Sequence, residues 1–465
     1  MRLLEKTRHK FIGDKSFYKM VLAIAVPIMV QNGITNFVSL LDNIMIGQIG
    51  TEQMSGVAIV NQLLFVYNLC LFGGVSGAGI FTAQYFGQKN HEGVRQTVRF
   101  KIWMVSLITL FTVILFLTAG DPLITFYLQG DGTAESAAAT LRYGREYLRI
   151  MLPGLIPFML VQVYSSTLRE CGKTILPMKA GVIAVFVNLV LNYILIYGKF
   201  GAPAMGVQGA AIATIISRFV ECGIVLIHTH RHAQDHPFIQ GLYTTLKVPA
   251  SLMFKIITKG MPLLLNETFW AAGTAMLTQC YSIRGLNVIA ALNISNTINN
   301  VFNIVFIALG ESVAIIVGQL LGAGKMKEAR DTDNKMIAFS VFSCVLIAAV
   351  MLVLARFFPL LYNTNAEART LAAYFIMLAA VFMPQNAFLH ASYFTLRSGG
   401  KTIITFLFDS VFIWCVNVVI AFILTRYTSL PVVAVYAFVQ MGDWIKCVIG
   451  FVLVKKGIWL QNIVS

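Results

Sequence analysis

Apolar runs of about 20 residues, long enough to cross a hydrocarbon core of about 30 Å as helix, recur along the whole chain. They begin near positions 20, 54, 101, 146, 176 and 206, and again near 260, 288, 336, 372, 403 and 431. Backbone groups in lipid must bond within their own segment, so each run is expected to be a helix. No other solvent suits this chain. With 57% hydrophobic and 12% charged residues, it holds more apolar surface than a soluble domain can bury. The reading is an all-α membrane protein with about twelve transmembrane helices. The opening stretch MRLLEKTRHKFIGDKSFYK is too charged and broken for a cleavable signal peptide, so the first run is expected to remain as a span.

The net charge of +15 could suggest nucleic acid, but the placement of the charges argues otherwise. Of 35 Lys and Arg, 25 fall in seven stretches that follow every second span, from residues 1–19 to Lys455 and Lys456. A nucleic-acid surface gathers its charge on one folded face, whereas alternation with the spans is the positive-inside pattern and puts both termini in the cytoplasm. The seven cysteines are scattered singly, with no spacing for zinc or a disulfide framework. His228, His230, His232 and His236 crowd the longest cytoplasmic loop and read as part of a solvated basic segment rather than a metal site. No metal or cofactor is expected.

One string occurs twice: TLRECGKTI at 167–175 and TLRSGGKTI at 395–403. Its Gly-Lys-Thr resembles a phosphate loop, but that motif needs a glycine five residues earlier, where Thr167 and Thr395 stand. The cause is duplication. An offset of 262 − 27 = 235 takes Pro27 to Pro262, Gln84 to Gln319, Gly87 to Gly322 and Arg95 to Arg330, and after a deletion the offset becomes 395 − 167 = 228. Six spans return the chain to its starting side, so the copies are expected to be parallel, pseudo-symmetric six-helix lobes. The expected division is residues 1–230, a cytoplasmic linker at 231–259, and residues 260–465. A further offset of 443 − 218 = 225 relates Arg218 and Glu221 to Asp443 and Lys446, read as an i,i+3 ion pair within each lobe's last span.

Two lobes with a cavity between them suit alternating access, and Pro27 and Pro262, inside the first span of each lobe, are candidate hinges. Ionisable residues within spans are functional candidates by default. Asp42, Glu267, Asp409, Glu311 and Glu221 qualify; His390 could relay a proton or bond a helix carbonyl. Trp270, Tyr281, Phe302, Tyr393 and Trp414 could add cation–π contact to a cationic substrate, or simply pack.

Several strings resemble the multidrug and toxic compound extrusion family, a branch of the polysaccharide and drug flippase superfamily. LLDNIMIGQIG resembles its first-span signature, AQYFGQKN and VGQLLGAGK its two loops after the second and eighth spans, and NLVLNYILIYGKFGAPAMGVQGAAIAT its fifth span, loop and sixth span. The resemblance implies proton- or sodium-coupled export of cationic or amphipathic small molecules. It carries the coupling-ion role onto Asp42, with Asn188, Asn192 and Thr214 as polar partners. Where some members have a second aspartate this chain has Asn192, which favours protons over sodium. Where one branch has an aspartate in the tenth span this chain has Asn386, and Glu267 lies about a turn before that branch's seventh-span glutamate, so an ion site in the second lobe is in doubt. The expectation is a twelve-span monomer of the plasma membrane, embedded in the bilayer and not an enzyme. A flippase for lipid-linked sugars and an intramembrane enzyme are the alternatives.

Overall fold

The computed structural model describes residues 11–128, 134–362 and 364–465. The first ten residues, which carry part of the amino-terminal charge cluster, lie outside it. Its helices follow the apolar runs: α1 Lys15–Gly47, α2 Thr51–Gly87, α3 His91–Phe126, α4 Ala134–Glu170, α5 Ile175–Tyr197, α6 Gly206–Arg231, α7 Ala250–Ser282, α8 Leu286–Gly322, α9 Met326–Leu354, α10 Ala366–Ser398, α11 Thr402–Tyr427 and α12 Val432–Lys456. Eleven are individually long and apolar enough to cross a membrane. The twelfth, α7, carries Asn266 and Glu267 in its middle. α4 is interrupted by a 3-10 turn at Leu152–Gly154, set by Pro153. α11 passes through two π-helical turns, Leu407–Val411 and Ile413–Asn417.

The repeated string is a helix stop. In the first copy the amide of Lys173 bonds Leu168 O at 2.7 Å and that of Gly172 bonds Arg169 O at 2.8 Å. In the second, Lys401 bonds Leu396 O at 3.2 Å and Gly400 bonds Arg397 O at 2.9 Å. Both glycines are left-handed, with φ of +75° and +71°. This is the Schellman arrangement, which satisfies the last free carbonyls of a helix and needs a residue tolerant of positive φ. The threonines face inward: Thr167 Oγ1 lies 3.2 Å from Lys101 Nζ, and Thr395 Oγ1 donates to Asp333 Oδ1 at 2.5 Å.

By their contacts the residues form two compact units, Met1–Met29 with Ala83–Asn90 and Lys255–Ser465, and Val30–Thr82 with His91–Phe254. Within the first, Phe17, Val21, Ile24 and Ile28 of α1 are buried with Leu309, Val313 and Val317 of α8 and Tyr393 and Leu396 of α10. The ends of α2 and α8 also meet there. A methyl group at Gly87 would strike the carbonyl of Gln319, and one at Gly322 the carbonyl of Gln84. This reciprocal contact joins repeat-equivalent positions, as a two-fold axis between copies requires.

Candidate functional site

α5 buries one stripe, Pro177, Ala180, Gly181, Ala184, Asn188, Asn192 and Ile196, at the three- and four-residue spacing of a helix face. Two amides on that stripe are out of place in an apolar packing face. They meet Asp42 of α1. Asn192 Nδ2 donates to Asp42 Oδ1 at 2.7 Å. With its oxygen turned to accept from Thr214 Oγ1 at 3.3 Å, the Asn188 amide donates to Asp42 Oδ2 at 3.1 Å. α1 is pinned beside α5 one turn further on, where Tyr197 Oη donates to Met45 O at 3.1 Å. All four residues brought forward for this lobe therefore form one group. Among the described residues every partner of the carboxylate is neutral, and the buried Asn192 Oδ1 has no hydrogen-bond partner.

That group lies in the unit of Val30–Thr82 and His91–Phe254; the unit containing Lys255–Ser465 holds a different one. Asp409, in the first π turn of α11, receives Lys446 Nζ from α12 at 2.6 Å on Oδ1 and Asn266 Nδ2 from α7 at 3.2 Å on Oδ2. Ser410 Oγ donates to Asn266 Oδ1 at 2.8 Å, and Asn266 Nδ2 also reaches Tyr393 Oη at 3.3 Å. His390 stacks obliquely on Phe306 at 4.7 Å and, with Glu267, is within electrostatic reach of Asp409. Asn386 lies on α10 and joins neither group by a hydrogen bond among the described residues.

A family model described as MatE matches residues 27–194 and 262–449. The chain belongs to the MatE family. The two matched blocks begin at Pro27 and Pro262, the repeat-related prolines, so each six-span copy carries one MatE unit. Among curated MatE relatives, a probable multidrug resistance protein NorM of Thermotoga maritima is 27% identical over 92% of this chain and 88% of its own. One of the same description from Oceanobacillus iheyensis is 24% identical over 94% of each. A crystal structure of a mutant of the Vibrio cholerae MATE transporter VcmN superposes with a TM-score of 0.85 at 16% identity, covering 96% of this chain and 98% of that one. As a MatE protein the chain is a multi-pass membrane transporter and not an enzyme.

Two ion pairs expected within helices are made differently. Lys446 pairs with Asp409, not with Asp443 one turn away, and Asp443 instead accepts from Asn417 Nδ2 at 3.0 Å. Arg218 makes no direct ion-pair contact with Glu221 among the described residues, though the two are within electrostatic reach; its guanidinium donates to Gly154 O at 3.3 Å and lies 4.7 Å above the Phe158 ring. In each case a partner on another helix offered better geometry than the i,i+3 neighbour. The histidine segment is less solvated than its composition suggests. α6 extends to Arg231, His230 bonds Tyr164 Oη at 3.0 Å, and Phe238, Ile239 and Leu242 beyond it are buried.

Two ionisable residues that composition and spacing do not single out are fully buried. Lys101 is fully buried and reaches Glu170 at 2.5 Å together with Ser166. Asp333, also fully buried, has Thr395 on Oδ1. Both sit near helix ends in ordinary basic stretches, and the signal that could have found them was the inward threonine of the repeated string.

The MatE repeats do not place their carboxylates equivalently. The 235 offset takes Asp42 to Leu277, and 409 − 228 = 181 takes Asp409 to Gly181. Gln31, the equivalent of Asn266, does lie against Gly181, with its Nε2 at 3.2 Å from the position of an added Cβ. The polar neighbour is duplicated; the acid is not.

Proposed function

We propose that this chain is a cation-coupled antiporter that exports organic cations and related amphipathic molecules, with Asp42 as the site of the coupling proton or sodium ion. One observation carries the reading. Among the described residues Asp42 is a carboxylate within a span whose partners are all neutral amides, beside a buried amide oxygen with no donor to accept from. A carboxylate in lipid needs a compensating positive charge, and a proton or a small cation held by the Asp42 and Asn192 oxygens supplies it. The naming of the relatives as multidrug resistance proteins supports the substrate class.

Exchange follows if cation and substrate favour opposite members of a two-state equilibrium, since each then shifts the population the other requires. α1 is suited to transmit that change. It carries Asp42, contains Pro27, whose missing amide and ring favour a bend, and passes from one contact unit to the other at Met29–Val30. Pro262 gives α7 the same device. The alternation of positive stretches supports cytoplasmic termini and a plasma-membrane location.

The test is ethidium efflux from proteoliposomes under an imposed proton gradient or, separately, a sodium gradient. Efflux is expected under one of them, and Asp42→Asn is expected to reduce it by about 5–150-fold, the usual range of a coupling free energy. Efflux that survives Asp42→Asn unchanged would remove Asp42 from the coupling step. No efflux under either gradient from folded protein would overturn the antiport reading.

A further inference from the structure

Asp42 and Asp409 are both carboxylates within spans, and both are held by asparagine amides. They differ in one respect. Asp42 has no ammonium or guanidinium against it among the described residues, while Asp409 has Lys446 at 2.6 Å. The lysine is anchored on both sides: its side chain is 8% exposed, and its ammonium lies 5.2 Å from the centroid of the Phe408 ring.

The backbone is arranged to make this contact. The two π turns of α11 each admit one more residue per turn than an α-helix, which changes the register of side chains along the helix face. From the first turn Asp409 meets Lys446, and from the second Asn417 meets Asp443, one turn earlier on α12. Lys446 is therefore directed to Asp409 although Asp443 stands at i−3 on its own helix. The other charged groups near the pair are also placed. Glu267 is within electrostatic reach of Arg397 and Asp409, and His390 is within electrostatic reach of both members of the pair. In the first copy the position of Lys446 is Glu221, by 446 − 225 = 221, and the position of Asp409 is Gly181. Anion and tethered cation are thus present together in one copy and absent together in the other.

We infer that Lys446 is a built-in substitute for a coupling cation: it occupies the Asp409 carboxylate permanently, so the second copy exchanges no ion and coupling rests on Asp42 alone. The last clause depends on the antiport reading; the occupancy of Asp409 does not. An ammonium joined to the same chain competes with free cations at a high effective concentration, and separating a buried pair leaves an uncompensated charge on each side. Removing the ammonium should therefore do more than weaken the fold. It should expose a cation site.

The experiment is thermal unfolding of purified protein in detergent, in an Asp42→Asn background that silences the other carboxylate. Sodium or methylammonium is raised with ionic strength held constant by choline. The background protein is expected to show no saturable response. Adding Lys446→Ala is expected to lower the melting temperature and to create saturable stabilisation by sodium, methylammonium or both. Adding Asp409→Asn as well should abolish that response. Lys446→Gln, which keeps a donor to Asp409 but no charge, serves if the alanine variant does not fold. A purely structural lysine would lower the melting temperature with no cation response, and that result overturns the proposal. So does saturable stabilisation already present in the background and lost on Asp409→Asn, because Asp409 would then be an open site. Neither readout involves transport, so failure here is distinct from failure of antiport.

Discussion

Lys89 sits at φ +60°, in the left-handed region. It ends α2 as the residue whose amide bonds Phe86 O at 2.9 Å, with Asn90 bonding Tyr85 O at 2.9 Å. The 235 offset takes it to Gly324, which ends α8 with the same two bonds, Gly324 to Leu321 O at 3.1 Å and Lys325 to Leu320 O at 3.0 Å, at φ +74°. A side chain in this conformation costs about 1–2 kcal/mol through Cβ crowding, while glycine loses about 0.5–1 kcal/mol more backbone entropy on folding. The balance favours glycine. Lys89 is exposed and its place in a helix stop needs no side chain. Lys89→Gly should therefore stabilise the protein by about 0.5–1 kcal/mol, read as a raised midpoint in thermal unfolding in detergent. A lowered midpoint would show that the lysine side chain contributes something the backbone geometry does not require.

At the scale of helices, the meeting of α2 and α8 depends on Gly87 and Gly322. The atom that an added Cβ would strike is a backbone carbonyl in each case, which cannot swing aside as a side chain can. Gly87→Ala and Gly322→Ala should each destabilise by about 1–3 kcal/mol, the cost of overpacking a well-fitted contact. The double variant should cost less than the sum, because once one substitution has separated the helices the second meets less resistance. A double-mutant cycle of thermal unfolding in detergent measures this, and strict additivity would mean that the two contacts are independent. Both glycines were legible in sequence as members of the offset series, and so was the number of helices, because lipid removes every alternative to a long apolar helix. The Asp42 group was legible only in part. The i,i+4 spacing places Asn188 and Asn192 on one face, but Asp42 was joined to them by resemblance. What could not be read was pairing between distant helices. Lys446 with Asp409 and Lys101 with Glu170 depend on side-chain register across helix pairs, and in α11 that register is altered by π turns that leave no periodic mark in an apolar segment.

For the molecule as a whole, the covalent division into copies and the division by contacts do not coincide. α1 up to Met29 and the α2 end at Ala83–Asn90 belong by sequence to the first copy and by contact to the unit of the second. The segment after α12 shows how that unit is completed. Trp459 is fully buried within the cluster that includes Leu321, Ala329 and Leu396, and its indole donates to Val454 O at 3.1 Å. Gln84, also fully buried, donates to Ser398 O at 2.9 Å and Gln461 O at 3.2 Å, and accepts from the Ile463 amide at 2.8 Å. Asn462 Nδ2 donates to Gly322 O at 3.1 Å. The tail thus supplies two of the three partners of a buried glutamine at the α2–α8 contact. Removing residues 458–465 would take away a buried tryptophan side chain and leave Gln84 Oε1 without its donor, and a buried polar atom left unpaired costs about 1–3 kcal/mol. Trp459→Ala alone should cost about 3–5 kcal/mol, and the truncation should cost more, since it adds the orphaned glutamine. Gln84→Leu combined with the truncation should recover part of the difference, because it replaces the unpaired amide with an apolar group of similar length. Thermal unfolding of the four proteins decides it: a truncated protein as stable as the full chain would mean that the tail is merely laid against the helices and completes nothing.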